Sequence, residues 1–279
     1  MKRLHFILLI ISLFFYNCDP KKKGNNEADQ RATKTAEYFY NLSQPNQMYV
    51  LPKKLTEISG LSYLTNNKLA AINDETGKLY IYDLANKEID KTIDFGKNDD
   101  YEGVEVVGNI AYVLVSSGKI KAINLEDESV ENIDGRNSDV AEFEGITYDK
   151  TNNSLLLAAK IMKGKLKVFE YSLTEKSLEI KFEIAENDID KNELGREFRP
   201  SGIAIDTQKN EIYLLASAGK KLIVFSQIGQ KIKQYNLDNE IFKQPEGICF
   251  GPNGQLFVAS EGKGGNGYIL QFNLSSTIQ

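Results

Sequence analysis

The sequence predicts an all-β chain: a five-bladed β-propeller with four-stranded blades, closed by an N-terminal strand. Three observations lead there. A five-residue pattern recurs as Glu57-Ile58-Ser59-Gly60-Leu61, Asp100-Tyr101-Glu102-Gly103-Val104, Glu142-Phe143-Glu144-Gly145-Ile146, Arg199-Pro200-Ser201-Gly202-Ile203 and Gln244-Pro245-Glu246-Gly247-Ile248. Its glycines are 43, 42, 57 and 45 residues apart, the spacing of an array of one supersecondary unit. Each unit holds up to four short runs rich in Ile, Val, Leu, Phe and Tyr, broken by Asn, Gly, Lys and Asp, which is strand and turn chemistry. Four strands per unit of this length make a propeller blade.

Taken in order, the chain opens with Lys2-Arg3 and an apolar run from Phe6 to Tyr16, too short to span a bilayer and suited to a signal-peptide core. Cys18 follows at once. It resembles the cleavage site of a bacterial lipoprotein, with Phe15, Tyr16 and Asn17 where small residues are usual. An ordinary signal peptide is the alternative. The expected division is a signal peptide over 1–17, a polar tether over 18–36 lipidated at Cys18, and a propeller over 37–276. Lipidation would place the domain in the bacterial cell envelope, held to a membrane by acyl chains.

Unit one reads Leu61 to Tyr63, Leu69 to Ile72, Leu79 to Tyr82 and Ile89 to Phe95; units two to four repeat the scheme. Unit five, ending near Leu274, lacks a fourth strand. Tyr38–Leu42 and Met48–Leu51 are both strand-like, and either can supply it, which closes the ring and removes an exposed edge. The acidic stretch 186–197 is expected to loop out on one face. Glycine suits the crowded strand nearest the axis. The residues one and three after it are large and apolar; those two after it (Ser62, Glu105, Thr147, Ala204, Cys249) are mostly small, a pattern that suits face-to-face packing of blades.

Composition removes several functions. The one histidine, His5, lies in the leader, so neither histidine acid–base chemistry nor a histidine zinc site is available to the domain. The net charge is −5 with both signs interspersed, which argues against nucleic acid as a partner. Two cysteines make no disulfide framework.

The candidate site is the set of residues preceding the five glycines: Ser59, Glu102, Glu144, Ser201 and Glu246. In a propeller these positions ring one mouth of the central channel. Three carboxylates gathered there repel each other, and a hard divalent cation relieves the repulsion. An all-oxygen set fits calcium, with magnesium second, better than zinc or copper. The alternative is structural: glutamates capping nearby backbone amides. Asp74, Glu75 and Glu261, in turns expected on the same face, are possible additions.

The order Glu57-Ile-Ser-Gly-Leu61, Asn73-Asp-Glu75, Asp100-Tyr-Glu-Gly103, Phe143-Glu-Gly145, Pro200-Ser-Gly202 and Pro245-Glu-Gly247 resembles the SdiA-regulated family of bacterial envelope proteins. The resemblance implies a five-bladed propeller with a calcium site, distantly related to NHL-repeat propellers, with Glu102, Glu144 and Glu246 as the metal candidates and Ser59 and Ser201 filling the ring. It implies no defined reaction. Two functions stay open: a monomeric binding or scaffold module for an unknown small molecule or envelope protein, and a metal-dependent hydrolase of lactonase, phosphodiesterase or phytase type.

Overall fold

The computed structural model describes residues 36–162, 164–185, 188–189 and 198–278. The leader, Cys18 and nearly all of the tether lie outside them. No helix among the described residues is long and apolar enough to cross a membrane.

Five four-stranded antiparallel sheets form the blades. Blade one is β3 (Ile58–Tyr63), β4 (Lys68–Asn73), β5 (Lys78–Asp83) and β6 (Glu88–Asp94). Blade two is β7 (Tyr101–Val107), β8 (Ile110–Val115), β9 (Lys119–Asn124) and β10 (Val130–Asp134). Blade three is β11 (Phe143–Asp149), β12 (Ser154–Met162), β13 (Lys165–Ser172) and β14 (Leu178–Ala185). Blade four is β15 (Gly202–Asp206), β16 (Glu211–Ala216), β17 (Lys221–Phe225) and β18 (Lys231–Asn236). Blade five is β19 (Gln244–Phe250), β20 (Leu256–Glu261) and β21 (Tyr268–Phe272), completed by β2 (Gln47–Val50).

Of the two N-terminal pieces, the second therefore closes the ring, with Met48 opposite Leu270. The first, β1 (Ala36–Phe39), pairs instead with β22 (Ser275–Ile278) in a separate two-stranded sheet, so the chain's last residues add a strand that the sequence pattern did not announce.

Five apolar clusters lie between neighbouring blades and hold the circle together. Leu61 and Tyr80 pack with Phe257 and Ile269 across the closure between blades one and five. Val104 packs with Ile72 between blades one and two, Phe143 with Leu114 between two and three, Ile203 with Leu156 between three and four, and Ile248 with Leu215 between four and five. The large residues one after each glycine thus form the inter-blade core, as their spacing predicts. Most of the stretch 186–197, expected to loop out, lies outside the described residues; of the two described, Ile189 is buried in the cluster between blades three and four that also holds Phe198.

The ring glycines have a geometric reason. A Cβ on Gly60 would stand 2.9 Å from Gly103 Cα, one on Gly103 3.2 Å from Gly145 Cα, and one on Gly145 3.0 Å from Gly202 Cα. On Gly202 it would stand 2.4 Å from Glu246 O, and on Gly247 3.1 Å from the carbonyl carbon of Gly60. The five backbones touch in a closed circle, leaving no room for a side chain.

Candidate metal centre at the upper mouth

The upper mouth is the end of the channel at which the inner strands begin. By simple alternation, the residue before each glycine would face away from the axis. Four of the five strands break that alternation, because β3, β7, β11 and β19 each carry a register shift there, between Ile58 and Gly60, Tyr101 and Gly103, Phe143 and Gly145, and Pro245 and Ile248. A bulge of this kind re-aims a side chain. Ser59, Glu102 and Glu246 consequently line a constriction together with the ring glycines. Its volume of about 10 Å³ is close to the least that holds a single water.

Glu102 is crowded. Burial, then the negative charges of Glu144, Asp100 and Glu246, push its carboxyl up to about 9. Glu246 is pushed up to about 8 by burial and by Glu261, against a hydrogen bond from Ser217 that favours its charge. Burial also raises Glu144, although Lys160 lies 3.0 Å away and opposes it. The same Lys160 ammonium contacts Glu142. Around the rim, burial and neighbouring carboxylates raise Glu261 to about 7 and Asp74 to about 6. Three glutamates from three blades therefore share one field, with Asp74 and Glu261 on the same face.

The two serines differ. Ser201 Oγ donates to Pro245 O at 2.6 Å and accepts from Ser217 N–H at 3.0 Å, tying blade four to blade five. Ser59 is only 5% exposed, and its Oγ has no partner among the described residues; neither does Asp74 Oδ1. Also among the described residues, no three His, Cys, Asp or Glu side chains stand close enough to form a preassembled metal cage.

Beside this mouth lies a cleft of about 560 Å³ lined by Ser217, Lys220, Asn239, Lys243, Gln244 and Lys263, among others. Ser217 belongs to both places, since it bonds Glu246. Lys220 donates to Lys243 O at 2.5 Å, and Gln244 Nε2 donates to Glu261 Oε2 at 2.8 Å. Sequence reasoning passed over the three lysines. Lys220 and Lys263 occupy the same turns as Ser217 and Glu261, so the signal was the position of the turn.

Comparison with known proteins agrees with this architecture. The family model described as SdiA-regulated matches residues 32–263. The chain belongs to the SdiA-regulated family. None of the curated proteins compared with the sequence matches it. Among solved structures, the glutaminyl cyclase of Myxococcus xanthus superposes with a TM-score of 0.60 at 13% identity, covering 84% of this chain and 97% of its own. A streptogramin B lyase gives 0.50 at 12% identity, covering 85% and 98%, and a chain of a nidogen–laminin complex gives 0.51 at 12%, covering 81% and 86%. At these identities the likeness is one of fold. That fold carries two enzymes and a protein complex, so it decides nothing about catalysis.

Proposed function

We propose that this member of the SdiA-regulated family is an envelope lipoprotein, anchored through Cys18, whose propeller binds calcium at the upper mouth and serves as a binding module. The supporting observation is the unpartnered, buried Ser59 Oγ beside Glu102 and Glu246, with a second orphaned oxygen on Asp74. Buried polar atoms normally find partners, and hydroxyl and carboxylate oxygens are the donors a hard cation takes. Glu102, Glu144, Glu246 and Ser59 would hold it, once Lys160 yields Glu144. Ser201, whose hydroxyl is engaged on both sides, braces the ring. Bound there, calcium would supply positive charge that ionises the glutamates and polarises an incoming oxygen ligand. To hold it, Glu102, Glu144 and Glu246 would have to close inward from the positions they take here.

Calorimetric titration of the soluble domain with calcium, and separately magnesium, tests this. Saturable binding with calcium preferred is expected, together with a higher melting temperature. An isotherm and melting curve unmoved by either metal would overturn the assignment. Cys18→Ser should release the protein from the membrane fraction.

The lysine-lined cleft favours a second reading, hydrolysis of an anionic ester or lactone. Lys220, Lys243 and Lys263 would hold the negative group while the cation polarised the bond. Turnover of phosphate-ester, phosphodiester or lactone substrates with calcium, abolished by Glu102→Gln, would establish it over the binding module.

A further inference from the structure

The five residues two after each glycine do not serve blade packing alone. Ser62, Glu105, Thr147, Ala204 and Cys249 converge at the opposite end of the channel, lining a separate cavity of about 280 Å³. That is roughly the space of nine liquid waters at ~30 Å³ each. Its wall includes the rings of Tyr63, Tyr148 and Phe250, and Lys150 stands at its exposed rim. Tyr63 and Tyr148 turn their hydroxyls outward to Asn67 Oδ1 and Asn153 Oδ1, at 3.3 and 2.9 Å, which fixes both rings. Ser62 Oγ is occupied by Val106 N–H at 3.0 Å.

Among the described residues on this wall, Glu105 is the only carboxylate. Burial alone pushes its carboxyl up to about 8, with no basic group opposing. The other titratable groups lining the cavity are Tyr63, Tyr148, Lys150 and Cys249, and burial pushes the Cys249 thiol well above its usual range, aided by Glu105. A partly buried carboxyl, aromatic walls and a cation at the rim make a bipolar cavity. An ammonium would give Glu105 a counter-charge, methylenes would lie on the rings, and a negative far end would meet Lys150.

We propose that the lower mouth binds a small zwitterion of the ω-amino acid class, its ammonium on Glu105 and its anionic end on Lys150. This does not depend on calcium at the other mouth.

The probes are γ-aminobutyrate, n-butylamine and n-butyrate, titrated calorimetrically into the soluble domain at millimolar concentrations. γ-Aminobutyrate should bind best, n-butylamine more weakly and n-butyrate not at all. Glu105→Gln should weaken γ-aminobutyrate at least tenfold. Lys150→Ala should weaken it several-fold and leave n-butylamine unchanged. At neutral pH, Glu105 must lose its proton as the ammonium arrives. The heat measured with wild-type protein should therefore vary with the ionisation enthalpy of the buffer, a readout that stands even if Glu105→Gln fails to fold. Absence of γ-aminobutyrate binding, equal binding of n-butyrate, retained affinity in folded Glu105→Gln, or heat independent of buffer would each overturn the proposal.

Discussion

The two mouths of the channel are built from the same five strands, three residues apart, and their chemistry differs. The upper mouth gathers Glu102, Glu144 and Glu246. The lower mouth holds Glu105 alone among small residues and aromatic rings. Strict period-two alternation would have turned the upper glutamates away from the axis, since they neighbour the inward-facing glycines. The bulge at four of the five strand starts undoes that alternation at one end only. The lower end keeps the regular pleat and presents every second residue. A single inserted residue in four of the five strands thus separates a crowded acidic ring from a quieter polar cavity.

The strongest way to break this comparison is to remove what both mouths share. Gly202→Ala would place a methyl 2.4 Å from Glu246 O, across the ring of touching backbones. The expected cost is about 3 kcal/mol or more, from overpacking against backbone that has no rotamer to change. Gly96→Ala is the control: its nearest contact would be Tyr101 Oη at 3.4 Å, and it should cost less than ~1 kcal/mol. Equilibrium unfolding in denaturant compares the two. Equal costs would mean that the glycine circle does not set the channel.

Next in size is the upper mouth alone. Calcium at a hundred times its dissociation constant should stabilise the domain by about 2.7 kcal/mol, on the order of 5–10 °C in melting temperature. Glu102→Gln should erase most of that gain. It should also stabilise the cation-free protein by about 1 kcal/mol, because it removes a carboxyl crowded by three others. A Glu102→Gln protein that responds to calcium like wild type would move the site elsewhere.

Much of this was legible in the sequence, for identifiable reasons. The glycine period gave the blade number because backbone contact at the axis tolerates no substitute. The outer strand of blade five was visible as a missing piece, but β1 and β2 compete on equal terms as short apolar runs; pairing with β21 favours the second. The ring residues were found through motif position, while the bulge that aims them was not. Its trace was present all the same. Ile58 and Leu61, Tyr101 and Val104, Phe143 and Ile146 are buried pairs three apart where a regular strand requires two. The lysine cleft depends on which turns meet in space, which a linear period does not encode.

The pH response sharpens the contrast further. Glu102 and Glu246, with folded values of about 9 and 8, stay protonated in the cation-free protein over a range where the unfolded chain, at 4.5, has released its protons. The native state then binds more protons, so stability falls as pH rises from about 4.5 towards 9. Calcium replaces those protons and should flatten the slope. Melting curves across that range, with calcium and with chelator, give the difference directly. Parallel curves would mean that the metal and the protons do not compete.

The smallest effect separates the two serines. Ser59→Ala removes a hydroxyl that has no partner among the described residues, so stability without calcium should change by less than ~0.5 kcal/mol, or improve. If Ser59 is a ligand, calcium affinity should fall about fivefold, a loss on the order of 1 kcal/mol. Ser201→Ala should do the reverse. It strands Pro245 O and Ser217 N–H at the junction of blades four and five, costing about 1–2 kcal/mol, and should leave calcium affinity nearly intact. The two residues occupy equivalent positions in the repeat, so opposite outcomes would trace the difference to the partners each hydroxyl has. Equal outcomes would mean that the orphaned oxygen of Ser59 is not what the cation uses, and the ligand set would shrink to the glutamates.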